Sequence, residues 1–101
     1  MGFNRVVNLY RAGALQDFAV SKSGFDDPTT KVIQKVVESA LKTASDTVDF
    51  TEKVTGELMR KFGGIFHCLI YKVNFGFYCV RSEKSHFCLM TNSEAKILIF
   101  K

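Results

Sequence analysis

Residues 66–101 limit what this chain can fold into more than any other stretch. Four runs crowd aromatic and β-branched residues together: Phe66-His67-Cys68-Leu69-Ile70-Tyr71, Asn74-Phe75-Gly76-Phe77-Tyr78, His86-Phe87-Cys88-Leu89-Met90 and Ala95-Lys96-Ile97-Leu98-Ile99-Phe100. Short polar breaks such as Ser82-Glu83-Lys84-Ser85 and Thr91-Asn92-Ser93-Glu94 separate them. Side chains of this kind fit a pleated, half-buried surface, so the runs read as three or four consecutive antiparallel strands. A sheet needs a cover, and the upstream chain supplies helices for it.

Phe18 to Ser23 reads as a short strand ended by Gly24, whose freedom at positive φ suits a turn. A helix then starts, capped by Asp26 or Asp27, with Pro28 in the first turn where a missing N–H costs nothing. Ile33, Val36, Val37, Ala40, Leu41 and Ala44 recur at helical spacing, while Lys31, Lys35, Glu38 and Lys42 lie off that stripe. A second helix is expected from Asp49 to Phe62, with Asp49 and Glu52 as a capping box and Phe50, Val54, Leu58, Met59 and Phe62 as its apolar stripe. Gly63-Gly64 ends it. Gly56 in its middle weakens it by about 1 kcal/mol relative to alanine, so packing must hold it. The order strand, helix, helix, strands describes an α+β domain with two helices on an antiparallel sheet. No internal repeat or low-complexity segment is present.

With 101 residues, 47% hydrophobic and 24% charged, the chain has the size and composition of one globular domain. The net charge of +4 is concentrated late: from Arg60 onward seven basic residues face only Glu83 and Glu94. Such a surface favours acidic partners, and a small basic module binding nucleic acid through its aromatic sheet is the alternative reading. Against it, the lysines are scattered among the strands, where they also solubilise sheet edges. Cys68, Cys79 and Cys88 are odd in number and sit in apolar runs without metal or redox spacing, so they read as buried, reduced thiols. No run is long and apolar enough to span a bilayer, and none behind Met1 resembles a secretory signal. Gly2 lacks the serine or threonine at position six that myristoylation requires. Residues 1–17 read as an N-terminal extension. With two arginines and no serine it is a poor match to a mitochondrial presequence, and the expected setting is cytoplasmic.

His67 beside Cys68 and His86 near Cys88 suggest a thiol enzyme or a metal site. Neighbours on a strand point to opposite faces, which separates His67 from Cys68. A structural zinc would need four ligands, and a cysteine nucleophile would need an exposed electropositive pocket. The expectation is therefore no catalysis, no metal and no cofactor. Gly76 is more informative. A glycine inside a strand marks a bulge or bend, or a strand edge where another backbone approaches closely.

Taken together, Phe66-His67-Cys68, Asn74-Phe75-Gly76-Phe77-Tyr78, His86-Phe87 and the closing Ala95-Lys96-Ile97-Leu98-Ile99-Phe100-Lys101 resemble the eight-kilodalton dynein light chain family, axonemal relatives included. That family shows Trp-His-Cys, Asn-Phe-Gly-Ser-Tyr, Lys-His-Phe and Ile-Leu-Leu-Phe-Lys in the same order. The resemblance covers residues 18–101. It implies a non-enzymatic, strand-swapped homodimer with element order β-α-α-β-β-β-β, in which Phe75 to Val80 crosses to the partner subunit's sheet. It further implies that short linear client peptides, such as that of a dynein intermediate chain, add to this strand by β-augmentation and are brought together in pairs. The setting would be a dynein complex on microtubules, in the cytoplasm or in a ciliary or flagellar axoneme.

By the same resemblance, Asn74, Phe75, Gly76, Phe77, Tyr78, Cys79 and Val80 edge the groove, Phe87, Leu89 and Leu98 floor it, and Val48 and Asp49 close one end. His67, Phe75, Tyr78 and Val80 fall at the dimer interface, His67 where the family has a histidine whose protonation favours monomers. A cation at a desolvated interface is costly, which gives that behaviour a physical basis. The chain departs from the pattern by one extra residue in Tyr71-Lys72-Val73 and one between Tyr78 and His86. In the groove, Leu89 and Thr91 replace two tyrosines, Lys96 a small residue and Val48 a lysine. A lysine there favours acidic client peptides.

Overall fold

The computed structural model describes residues 18–72, 86–92 and 95–101. Among these residues six elements follow one another: β1 (Ala19–Ser23), α1 (Asp27–Thr43), α2 (Thr47–Phe62), β2 (His67–Lys72), β3 (Phe87–Thr91) and β4 (Ala95–Phe100). The strands form one antiparallel sheet in the order β1-β3-β4-β2, so the last strand lies inside the sheet and β2 pairs with β4. Ladder register shifts between Val20 and Lys22, leaving Ser21 as an irregularity on the outer strand β1. The expected α+β fold with two helices on an antiparallel sheet is what the chain adopts.

Both helices begin on an aspartate. Asp26 caps α1, its Oδ1 accepting the Thr29 N–H at 2.8 Å, with Pro28 in the first turn. At α2 the cap is Asp46, which accepts the Asp49 N–H at 2.8 Å. The expected cap, Asp49, sits one turn inside the helix. Its carboxylate reaches back to the Ser45 N–H at 2.9 Å and forms an ion pair with Lys53 at 3.6 Å. The box is thus Asp46-x-x-Asp49, displaced by three residues from the expected one: Asp46 captures the free amide first, and Thr47 and Val48 are already helical. Likewise α1 ends at Thr43, because Ala44 turns to extended backbone with ψ 140°. Gly63 and Gly64, at φ 73° and 78°, stop α2 in a conformation that glycine alone adopts cheaply.

Ile33, Val36, Val37, Ala40, Leu41 and Ala44 are all buried, as their spacing predicts. On α2 only Phe50, Val54 and Leu58 enter the core. Met59 and Phe62 remain 43% and 39% exposed. Met59 stands about 100° around the helix from Leu58, and Phe62 leans onto the Phe66 ring at the helix end. These helical faces pack on Cys88, Met90, Ala95, Ile97 and Ile99 of the sheet, with Cys68 and Ile70 partly buried beside them.

Gly56 has open space where a Cβ would stand. Gly56→Ala is expected to raise stability by about 1 kcal/mol, read as a higher urea midpoint, since alanine restricts the unfolded chain without meeting a clash.

Hydrogen bonds hold the carboxyl groups of Asp26 and Asp49 below the usual carboxylate range, through Thr29 and the Ser45 amide, and the Arg60 guanidinium does the same for Glu57. A depressed folded-state pKa gives stability that is present above the unfolded value and lost as pH falls through the folded one. The urea midpoint should therefore fall below about pH 4. Asp26→Asn, which keeps an acceptor at the cap but does not titrate, should make that fall shallower while leaving the midpoint at pH 7 nearly unchanged.

Candidate functional site: the outward face of the sheet

Strand alternation sends one set of side chains to the helices and the other set away from them. The register aligns the outward set in three rows: Phe87, Phe100 and His67; Leu89, Leu98 and Leu69; Thr91, Lys96 and Tyr71. Two of these rows are almost wholly apolar or aromatic. Leu98, in the middle, is 2% exposed, whereas Leu69 on β2 is 41% exposed and His67 is exposed beside it. His67 stacks on Phe100 with ring centroids 4.8 Å apart. Among the described residues no helix lies on this face, and its exposed end at Leu69 and His67 is a surface that a partner would cover.

This face gathers four of the expected site residues. Phe87, Leu89 and Leu98 share it, the last two as cross-strand partners, and His67 lies at its β2 edge. Lys96, half-buried in the third row, is the one cation among the described outward positions of β3 and β4. Val48 and Asp49 stand on another element, the first turn of α2. Val48 is 64% exposed there, while Asp49 is engaged with Ser45 and Lys53. Asn74, Phe75, Gly76, Phe77, Tyr78, Cys79 and Val80, the expected groove edge, lie outside the described residues.

The sequence reading missed Leu69, Tyr71 and Phe100 as members of this surface. Their signal was available: β2 and β4 carry large apolar or aromatic side chains at successive positions, as strands covered on both faces do.

The two described thiols, Cys68 and Cys88, are held in their protonated form. Burial pushes Cys68 up to about 12 and also raises Cys88. His67 points outward while Cys68 packs toward the helices, as alternation requires. His86 precedes β3 and lies against Phe25. No group of three or more His, Cys, Asp or Glu among the described residues is arranged to hold a metal ion.

The solved structures that resemble this one include two of a single domain. Both are of the dynein light chain-like domain of FhCaBP2, a calcium-binding protein of Fasciola hepatica. The mercury derivative matches with a TM-score of 0.70 and 10% identity, over 85% of this chain and 92% of that one. The native form matches with a TM-score of 0.61 and 10% identity, over 83% and 89%. At that identity the likeness is one of fold. No curated protein matches the chain. The sequence of residues 18–101 matches the family described as dynein light chain type 1, the span that carries both helices, the whole described sheet and its outward face, and the chain belongs to that family.

Proposed function

We propose that this protein is a dimeric dynein light chain that captures short linear client peptides by strand addition and holds them in pairs. Membership of the family supports a small adaptor-like role, association with dynein complexes and a microtubule-related location in general terms, and its members are generally non-enzymatic. The observation that carries the finer reading is the outward sheet face. Its apolar rows end at Leu69 and His67 on β2, the outermost strand on that side of the described sheet. A second copy laid on this face would cover the exposed end of both rows at Leu69 and His67, and the Phe75 to Val80 strand would supply the edge for a client. Main-chain hydrogen bonds then give affinity, and side-chain pockets give selection. Lys96 beside the face favours clients with an acidic residue at the matching position.

Two measurements test this. Sedimentation velocity at micromolar concentration and neutral pH should give a dimer, and His67→Lys should shift it toward monomer, because a lysine ammonium would have to be desolvated where His67 now stacks on Phe100. A monomeric wild type defeats the dimer reading. Phe75→Ala should weaken capture of a dynein intermediate-chain peptide at least tenfold while leaving the urea midpoint close to wild type. Capture at full strength would move the groove elsewhere.

A further inference from the structure

Four rings, Phe25, Phe62, Phe66 and His86, line a cleft outside the apolar rows of the sheet. It lies where the start of α1, the end of α2 and the start of β3 come together. His86 is 5.5 Å from Phe25, Phe25 is 6.2 Å from Phe66, and Phe66 is 6.2 Å from Phe62, measured between ring centroids. The space they border is about 450 Å³, with Asp26 on its lining.

This wall already faces a cation. The Lys101 ammonium stands 5.2 Å from the centroid of Phe66. Its stem lies across Gly64, where a Cβ would come within 2.8 Å of the lysine Cε, so the bare backbone makes room for it. The Lys101 amide donates to the His86 carbonyl at 3.0 Å, which fixes the base of the side chain at the mouth of the cleft.

The chemistry of such a wall is specific. Aromatic faces carry negative electrostatic potential and attract ammonium groups, most strongly when the cation arrives with little hydration. Methylated ammonium groups shed water more easily than a lysine amine does. The N-terminal end of α1 is electropositive and would oppose a cation. Asp26, which caps that end and lines the cleft, supplies a compensating carboxylate.

We propose that this cleft is a binding site for an ammonium group, preferentially a methylated one, and that Lys101 is its intramolecular occupant, displaced when an external cation binds. The external group would be a free alkylammonium ion or the methylated side chain of a partner polypeptide. Both present the same chemistry to the rings.

The test is an amide-shift titration of the labelled full chain by NMR, in wild type and in Lys101→Gln. The probes are tetramethylammonium chloride and a short peptide carrying trimethyl-lysine, with sodium chloride at matched ionic strength as control. Saturable shifts at Gly24, Phe25 and Thr29 are expected with tetramethylammonium. Binding should be about fivefold tighter in Lys101→Gln, because a competing cation–π contact of ordinary strength has gone. Phe62→Leu, an exposed position that keeps the apolar volume but removes a ring, should weaken the shifts. Phe25→Leu should weaken them further. The proposal fails if sodium chloride reproduces the shifts, if wild type and Lys101→Gln bind alike, or if neither ring substitution matters. A peptide that binds more tightly than tetramethylammonium identifies a polypeptide as the source of the cation, and equal binding identifies a free ion.

Discussion

Phe50→Ala is expected to cost about 3–5 kcal/mol of stability, the range for deleting a large aromatic side chain from a well-packed interior. Phe50 is fully buried in the first turns of α2, in the cluster that also contains Val54, Leu58 and the inward residues of β3 and β4. Two effects add. The removed ring loses its transfer free energy, and the cavity it leaves adds a cost because the surrounding structure relaxes only in part. Domains of this size are typically stable by only about 5–15 kcal/mol. The variant should therefore show a much lower urea midpoint, and a sizeable unfolded fraction if the starting stability is at the low end. A midpoint within experimental error of wild type would mean that α2 is not seated on the sheet as described. Val48→Ala, two residues earlier but 64% exposed, is the control and should change little.

Leu69→Asp should have the opposite profile, a small effect on the fold of one chain and a large effect on its assembly. Leu69 is 41% exposed on the outward face of β2, so a carboxylate there remains hydrated in a single chain. In a dimer built on that face the same position occurs twice, once from each copy, and each copy loses an apolar contact and gains a charge to desolvate. Full burial of a leucine side chain is worth about 1.5–3 kcal/mol. A partner can bury only the 41% of Leu69 that is exposed, so the two losses raise the dimer dissociation constant by about ten- to fiftyfold before the cost of desolvating the charges is added. Sedimentation across a concentration series should show monomer where the wild type is dimeric, with far-UV circular dichroism unchanged. A Leu69→Asp protein that sediments as wild type would place the contact surface on a different face.

Where each residue's environment is set by neighbours close in sequence, the chain was readable from its letters. The stripe from Ile33 to Ala44 predicted its own burial, and Gly63-Gly64 predicted the helix stop, because periodicity and backbone sterics act locally. The α2 cap was displaced because Asp46 and Asp49 both satisfy the same local rule, and only the helix geometry decides which aspartate meets the first free amide. Met59 and Phe62 show a different limit. An apolar residue at nearly helical spacing is buried only if the partner surface extends that far, and the extent of the sheet is a tertiary property. The outward face was legible in part. Its floor residues Phe87, Leu89 and Leu98 came from the family motif, but Leu69, Tyr71 and Phe100 join them only through the β2–β4 register, which pairs residues about thirty positions apart. The ring cleft was not legible at all, since Phe25, Phe62, Phe66, His86 and Lys101 come from five separate places in the chain.

The position of β4 has a consequence for how the protein is made. The strand that joins β3 to β2 is the last of the six elements, so neither half of the sheet has its central partner until residues 95–100 have been synthesised. During translation the α1–α2 hairpin can form early, because its contacts are local. The unpaired edges of β2 and β3 must wait, exposed to pairing with the wrong strands. Emergence of residues 95–100 from the ribosome, and not the emergence of the helices, is then the event that lets the sheet close. Nascent chains stalled before residue 95 should be the species that needs chaperone protection most.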